Sequence, residues 1–260
     1  MKNFAATVLG LLCFLLHSAH AQPVETSENI GLGIDQPWRL SITPYAWALG
    51  IRGSVVHDNV QLGEVRLNPG DVLSDLKLGA MVVAQVSRGR LGLYVDAMYG
   101  ELGESSSTVV RQTGLTANTS TTIAMLTLAP TYRIYDSSAL SLDGLAGVRF
   151  LQQSLSSTFT SPLLGAPVSL KNSHNVTDII VGLKGQWNLG ESAYYVPFYV
   201  DVGAGEVSSV TSQAYVGLGR AFDWGDVSVV IKNVYYQFEK NRNILDLNML
   251  GVAVGATFRF

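Results

Sequence analysis

Cysteine is all but missing from this chain of 260 residues: Cys13 is the only one. It lies within an N-terminal apolar run from Phe4 to Leu16, so the chain beyond that run has no thiol, disulfide or thioether-linked lipid to draw on. The residue before it is Leu12, where a lipoprotein processing site would want a small side chain. Charge is scarce as well. Charged residues make up 14% of the chain and the net charge is -3, which leaves no basic surface for nucleic acid. Long hydrophobic runs are the third absence. The stretch from Phe4 to Leu16 is short of the roughly 20 apolar residues a membrane helix needs, and no later stretch approaches that length. Mean hydropathy is nevertheless positive at +0.24, so the apolar residues must be spread by some rule other than contiguity.

That rule is alternation. From Trp38 onward, ten segments carry apolar residues at every second position, the period of a β-strand with two different faces. The clearest reads Leu91, Leu93, Val95, Ala97, Tyr99 on one face and Gly92, Tyr94, Asp96, Met98 on the other. Before it, Leu76 to Val86 alternates against Lys77, Gly79 and Gln85. Further segments run through Ala124 to Tyr132, Leu140 to Phe150, Ile179 to Trp187, Val196 to Val202 and Ala214 to Phe222. The first segment, Trp38 to Leu49, contains Pro44. The ninth, Val227 to Phe238, fits either parity until Lys232 is placed inward. The last ends in Val254-Gly255-Ala256-Thr257-Phe258-Arg259-Phe260.

Connections alternate in length. Ser87 to Arg90, Asp136 to Ala139, Asn188 to Ala193 and Asp223 to Asp226 are turn-like, while about 20 residues separate several other neighbours. The reading is an all-β, transmembrane, antiparallel up-and-down β-barrel of about ten strands, with short periplasmic turns and long external loops. Eight or twelve strands stay open, because Val55 to Leu67 could add a hairpin. Trp38, Tyr132, Trp187, Tyr194, Phe222, Trp224, Phe258 and Phe260 fall near the short turns, and Tyr99, Phe150 and Phe238 near the long loops, as two aromatic girdles would. A soluble β-sandwich would also alternate, but it accounts for neither the girdles nor the loop asymmetry. Arg220 points outward by parity; two residues from Phe222, it would lie at the periplasmic interface and snorkel to head groups.

The N-terminus fits the same location. Lys2, the apolar run and the small-x-small site Ala19-His20-Ala21 before Gln22 read as a signal peptide over residues 1–21. Residues 22–37 then form a periplasmic lead-in, and 38–260 the barrel. Val254, Ala256, Phe258 and the closing Phe260 resemble the C-terminal signal by which bacterial outer-membrane barrels are recognised for insertion, which implies the barrel-assembly machinery as a transient partner. Pro44-Tyr45-Ala46-Trp47, the run from Pro69 to Leu76, Asp178 with Val181-Gly182, and Tyr199-Val200-Asp201-Val202-Gly203 followed by Gln213-Ala214 resemble a family of small proteobacterial outer-membrane β-barrel proteins. That resemblance implies fold and location in the outer membrane of a Gram-negative bacterium. The family has no assigned biochemical activity, so no catalytic residue is implied.

Function is sought first in the lumen. Parity sends Lys77, Arg133, Arg149, Lys184, Lys232 and Arg259 inward with Asp96, Asp143, Asp178 and Asp201. Enclosed charges are costly unless partnered, so these read as a pairing network that fills the barrel. The competing reading is the lining of a narrow passive channel for small solutes. Barrels of about eight strands are filled by side chains, and ten lies near that end of the range. The external loops carry His57 and His174. An outer-membrane lipid hydrolase or protease would need such histidines beside a serine or carboxylate, but neither has a metal-ligand spacing, and Ser173 is adjacent to His174 only in sequence. Asp71 to Leu76 reads as one helical turn at the barrel mouth. The expectation is a monomeric, non-enzymatic protein in contact with outer-membrane lipid, with no cofactor, no metal and no nucleic-acid partner.

Overall fold

A computed structural model of the chain describes residues 35–57, 60–110, 115–160, 167–206, 208–240 and 243–260. The signal peptide over 1–21 and most of the lead-in over 22–37 lie outside these described residues. The chain order is β1 (Arg39–His57), β2 (Val60–Leu67), α1 (Pro69–Asp75), β3 (Leu76–Arg88), β4 (Leu91–Val110) and β5 (Leu115–Asp136). There follow β6 (Leu140–Thr160), β7 (Val168–Asn188), β8 (Tyr194–Gly205), β9 (Ser208–Phe222), β10 (Gly225–Lys240) and β11 (Asn243–Arg259). Consecutive strands pair antiparallel from β3 to β11, and β11 returns to β1 in a ladder running from Ser41↔Arg259 to His57↔Asn243. The last peptide unit joins in, with the Leu40 and Phe260 backbones exchanging hydrogen bonds of 3.1 and 2.8 Å. β1 and β3 through β11 therefore form a closed wall of ten strands. Closure gives every strand of the ring two neighbours, as a β-structure in hydrocarbon requires, although the β1–β3 ladder is short and ends at Pro44↔Val82.

The alternation of the sequence sorts the side chains as expected. On β4, Tyr94, Asp96 and Met98 are buried in the lumen while Leu91 and Leu93 lie outside. Ile179, Val181 and Leu183 of β7, Val200 and Val202 of β8, Val216 and Leu218 of β9, and Val252 and Val254 of β11 form an exposed apolar belt, Ile179 reaching 74% exposure. Such a belt in water would be an aggregation surface; around a closed barrel it matches lipid. At the turn end, Trp38, Tyr132, Trp187, Tyr194, Phe222, Trp224, Phe258 and Phe260 are all exposed. Arg220 is among them, its guanidinium 4.9 Å from the Phe222 ring centre and 5.5 Å from that of Tyr194. The hairpin from β3 to β4 turns on Gly89, whose φ of 59° lies in the left-handed region that a side chain disfavours.

At the opposite end the long connections are built as strand. β4 and β5 pair as far as Val110↔Leu115, and β6 and β7 as far as Phe159↔Val168, so most of the residues between the sequence-derived segments extend the ladders. These arms escape a parity search because apolar residues are too sparse along them to define a face. Lys171 to Asn175 are exposed throughout, and no apolar face marks the register. β1 likewise continues past Leu49 to His57 and returns as β2, the hairpin that the Val55 to Leu67 stretch allowed; β2 pairs only with β1 and leaves the wall at ten strands. α1 forms where one helical turn was expected, with Pro69 at its start and Asn68 and Asp71 in a capping box. Phe238 is a correction. It shares the inward parity of Lys232, Val234 and Tyr236 and stacks on Tyr236 with ring centres 5.7 Å apart, so it belongs to the lumen and not to an outer girdle.

Candidate functional site

The interior is crossed by side chains at three levels. Nearest the turns, Asp143 of β6 takes Arg133 of β5 and Lys184 of β7, the latter at 3.4 Å. Lys184 also donates to Gln85 of β3 at 2.7 Å. β3 and β7 stand four strands apart around the wall, so this contact spans the lumen. Arg133 reaches Asp136 as well, at 3.0 Å. On the same end Arg259 pairs with Asp226, its Nη1 at 2.8 Å, and Thr43 and Thr257 share a hydroxyl bond of 2.8 Å between β1 and β11.

The middle level carries the strongest network. Lys232 donates to Asp96 at 2.8 Å and to the Tyr45 hydroxyl at 2.9 Å, and that hydroxyl donates to the other Asp96 oxygen at 2.8 Å. Gln213 of β9 donates to Asp96 of β4 at 3.2 Å. β9 and β4 lie five strands apart in a ring of ten, so the hydrogen bond joins opposite walls. Arg149 of β6 is 0% exposed and ends on Asp201 of β8, with Thr127 at 3.2 Å and Thr211 at 3.3 Å taking its other N–H groups. Asp201 also receives the Tyr199 hydroxyl and, at 3.1 Å, the backbone N–H of Gln213. Asp178 is paired differently: its carboxylate accepts from Ser208, and its second oxygen has no hydrogen-bond partner among the described residues. The rings of Tyr94, Tyr199 and Tyr215 stack across the centre at 5.3 and 5.4 Å. Each buried ion needs such company, because the desolvation cost of a lone charge is several kcal/mol.

The outer level is apolar. Met98, Met125, Leu151, Val176, Val234 and Met249 are buried there. The Tyr236 hydroxyl of β10 contacts the Met125 sulfur of β5 at 3.8 Å, again between opposite walls. Side chains from opposite walls, or from strands four apart, thus meet at all three levels.

Of the residues assigned inward from the sequence, Asp96, Arg133, Asp143, Arg149, Lys184, Asp201, Lys232 and Arg259 lie together in ion pairs, Asp178 lies beside Ser208, and the side chain of Lys77 is outside the described set. Asp226, the partner of Arg259, was missed. It shares the inward parity of Lys232 but falls in the turn-like stretch Asp223 to Asp226, before the apolar alternation of β10 begins. The supporting groups Tyr45, Thr127, Thr211 and Gln213 carry the inward parity of their strands but no charge that draws attention, and Ser208, of the opposite parity on β9, is buried beyond the register shift between Gln237 and Phe238. His57 is on β1 and His174 on β7, opposite one another in the ring, and His174 is exposed.

No family model and no curated protein matches the chain. Among solved structures it is similar to Ail, the attachment invasion locus protein of Yersinia pestis, at 16% identity over 86% of this chain and 99% of that one, with a TM-score of 0.38. The translocator domain of the autotransporter NalP from Neisseria meningitidis is 11% identical over 100% of this chain and 95% of that one, with a TM-score of 0.43. The toluene transporter TodX of Pseudomonas putida is 5% identical over 85% and 89%, with a TM-score of 0.35. All three are outer-membrane β-barrels. At these scores none of them bears on what this chain does.

Proposed function

We propose that this chain is a non-enzymatic, integral outer-membrane barrel whose lumen is filled, and which presents its extended arms outside the cell for a structural or binding role. The observation that carries the reading is the Gln213 to Asp96 bond of 3.2 Å between opposite strands, at the level where Lys232 and Arg149 are also fully engaged. A selectivity lining for a solute path would keep its charged groups hydrated around a free axis. Here they are spent on one another. The apolar belt and the aromatic ring at the turn end support the outer-membrane location, with the turns on the periplasmic side and the arms outside. Val254, Ala256, Phe258 and Phe260, all on the lipid-facing parity of β11, supply the features by which the assembly machinery would recognise the last strand.

Liposome swelling tests the filled lumen. Vesicles carrying the refolded protein, with a heat-sensitive electrophoretic band confirming closure, should swell in arabinose no faster than empty vesicles. Swelling at a rate that falls with solute size would instead support the narrow-channel reading.

A further inference from the structure

A single charge interrupts the lipid-facing surface of β8, β9 and β10. At the outward positions from Tyr194 to Val202, from Val216 to Phe222 and from Val227 to Ile231, every side chain is apolar or aromatic except Arg220. The lumenal cations Arg133, Arg149, Lys184 and Lys232 each end on a carboxylate. Arg220 does not: it is exposed, and among the described residues its guanidinium has no ion pair and no hydrogen bond. A cation on the lipid face costs about 2–4 kcal/mol at the midplane and roughly 0–1 near the interface, so its depth and its partner decide whether it is tolerated.

The strands set that depth. In the ladders Arg220 stands between Tyr194 of β8 and Val227 of β10, and two residues on, Phe222 leads into the turn at Asp223 and Trp224. Arg220 is therefore one pleat inside the aromatic ring of the turn end, at head-group level. The rings of Phe222 and Tyr194, 4.9 and 5.5 Å from the guanidinium carbon, hold the cation by their π faces. Phe222 is backed in turn by Trp224 at 5.8 Å, and Trp224 by Phe258 at 5.7 Å. Stacking occupies the faces of the guanidinium and leaves its N–H fork free. An arginine that only snorkels keeps a mobile, hydrated head; one clamped between two rings is preorganised for a ligand. Toward the bilayer centre, Leu218, Val216 and Val229 are exposed and continue the surface as an apolar track.

We propose that Arg220 seats the phosphate of an anionic diacyl phospholipid in the periplasmic leaflet. The guanidinium donates two parallel hydrogen bonds to the phosphodiester oxygens, and an acyl chain lies along Leu218, Val216 and Val229. A zwitterionic head group neutralises its own phosphate, whereas Arg220 brings one uncompensated positive charge, so the site selects lipids with net negative charge. The site rests on the outer-membrane barrel proposed above, with its turns on the periplasmic side, and asks nothing of the lumen.

The test is native mass spectrometry of the refolded protein in neutral detergent, titrated with an equimolar mixture of phosphatidylglycerol and phosphatidylcholine. The wild-type barrel should retain one phosphatidylglycerol in preference to phosphatidylcholine. Arg220→Gln should need about tenfold more phosphatidylglycerol for the same occupancy, the size of a lost hydrogen bond to a charged group. Tyr194→Leu keeps the charge but loosens the clamp, and should need roughly threefold more. Arg88→Gln removes another exposed arginine stacked on an aromatic ring, that of Trp38, and should change nothing. Equal retention of the two lipids by the wild type overturns the proposal, as does undiminished phosphatidylglycerol retention in Arg220→Gln or an equal loss in Arg88→Gln. Flotation with phosphatidylcholine vesicles and the heat-sensitive band report on the membrane barrel separately. A protein that floats without lipid preference contradicts the site and leaves the barrel standing; one that does not float removes both.

Discussion

Lys232 and Asp96 hold the centre of the barrel, and their contribution is clearest when one of them is removed. Lys232→Met leaves the Asp96 carboxylate buried at 0% exposure with only the Tyr45 and Gln213 donors. Stripping one partner from a buried pair costs about 3–5 kcal/mol, so the urea midpoint of the refolded variant, followed by its heat-sensitive band, should fall steeply. Adding Asp96→Leu to that variant should recover most of the loss, because no lone charge then stays in the lumen. Residues of this sort were legible in the sequence. Once parity is fixed by Leu91, Leu93 and Val95, the facing Asp96 has nowhere to go but inward. Asp226 was not legible, since it opens its strand after a turn, and Phe238 was misplaced because an aromatic near a strand end looks the same from either face.

At the scale of the element, Pro44 interrupts the ladder between β1 and β11. Leu40 exchanges backbone hydrogen bonds with Phe260, so Pro44 also faces β11, and the register passes from Ile42↔Phe258 to Tyr45↔Gly255. Pro44→Thr should restore a donor to the Ala256 carbonyl, adding about one backbone hydrogen bond, or roughly 1 kcal/mol. Amide exchange would register it: the new amide at position 44 should be protected, with Leu93 level, and a freely exchanging amide there would mean that the missing donor is not what interrupts the ladder. The membrane-spanning parts of the strands could be read from the chain because lipid demands one apolar face and the lumen accepts a different one. The arms could not. Beyond the apolar belt Ser156, Thr158, Ser169 and Asn172 suit either face, and only the cross-strand ladder as far as Phe159↔Val168 reveals the strand.

For the whole molecule, ten strands enclose a space that side chains must either line or fill, and here several of them meet from opposite walls. Arg149 is the largest of the fully buried side chains, and its guanidinium occupies the region between β6 and β8. Arg149→Ala should therefore turn a silent barrel into one with small, flickering currents, while Asp201 keeps its hydrogen bonds from Tyr199 and Gln213. Composition and alternation pointed to a closed barrel of about this size. They did not show that the contents were layered, ionic toward the turns and in the middle, thioether-rich beyond, because that order depends on the stagger between strands and not on any one of them.

The most direct test of the filled lumen is single-channel recording of the refolded, heat-modifiable protein in a planar bilayer. The account predicts no discrete openings from the wild-type chain and measurable ones from Arg149→Ala under the same voltage. Steady openings from the wild-type protein, with an ion selectivity that shifts when Asp96 is neutralised, would contradict it.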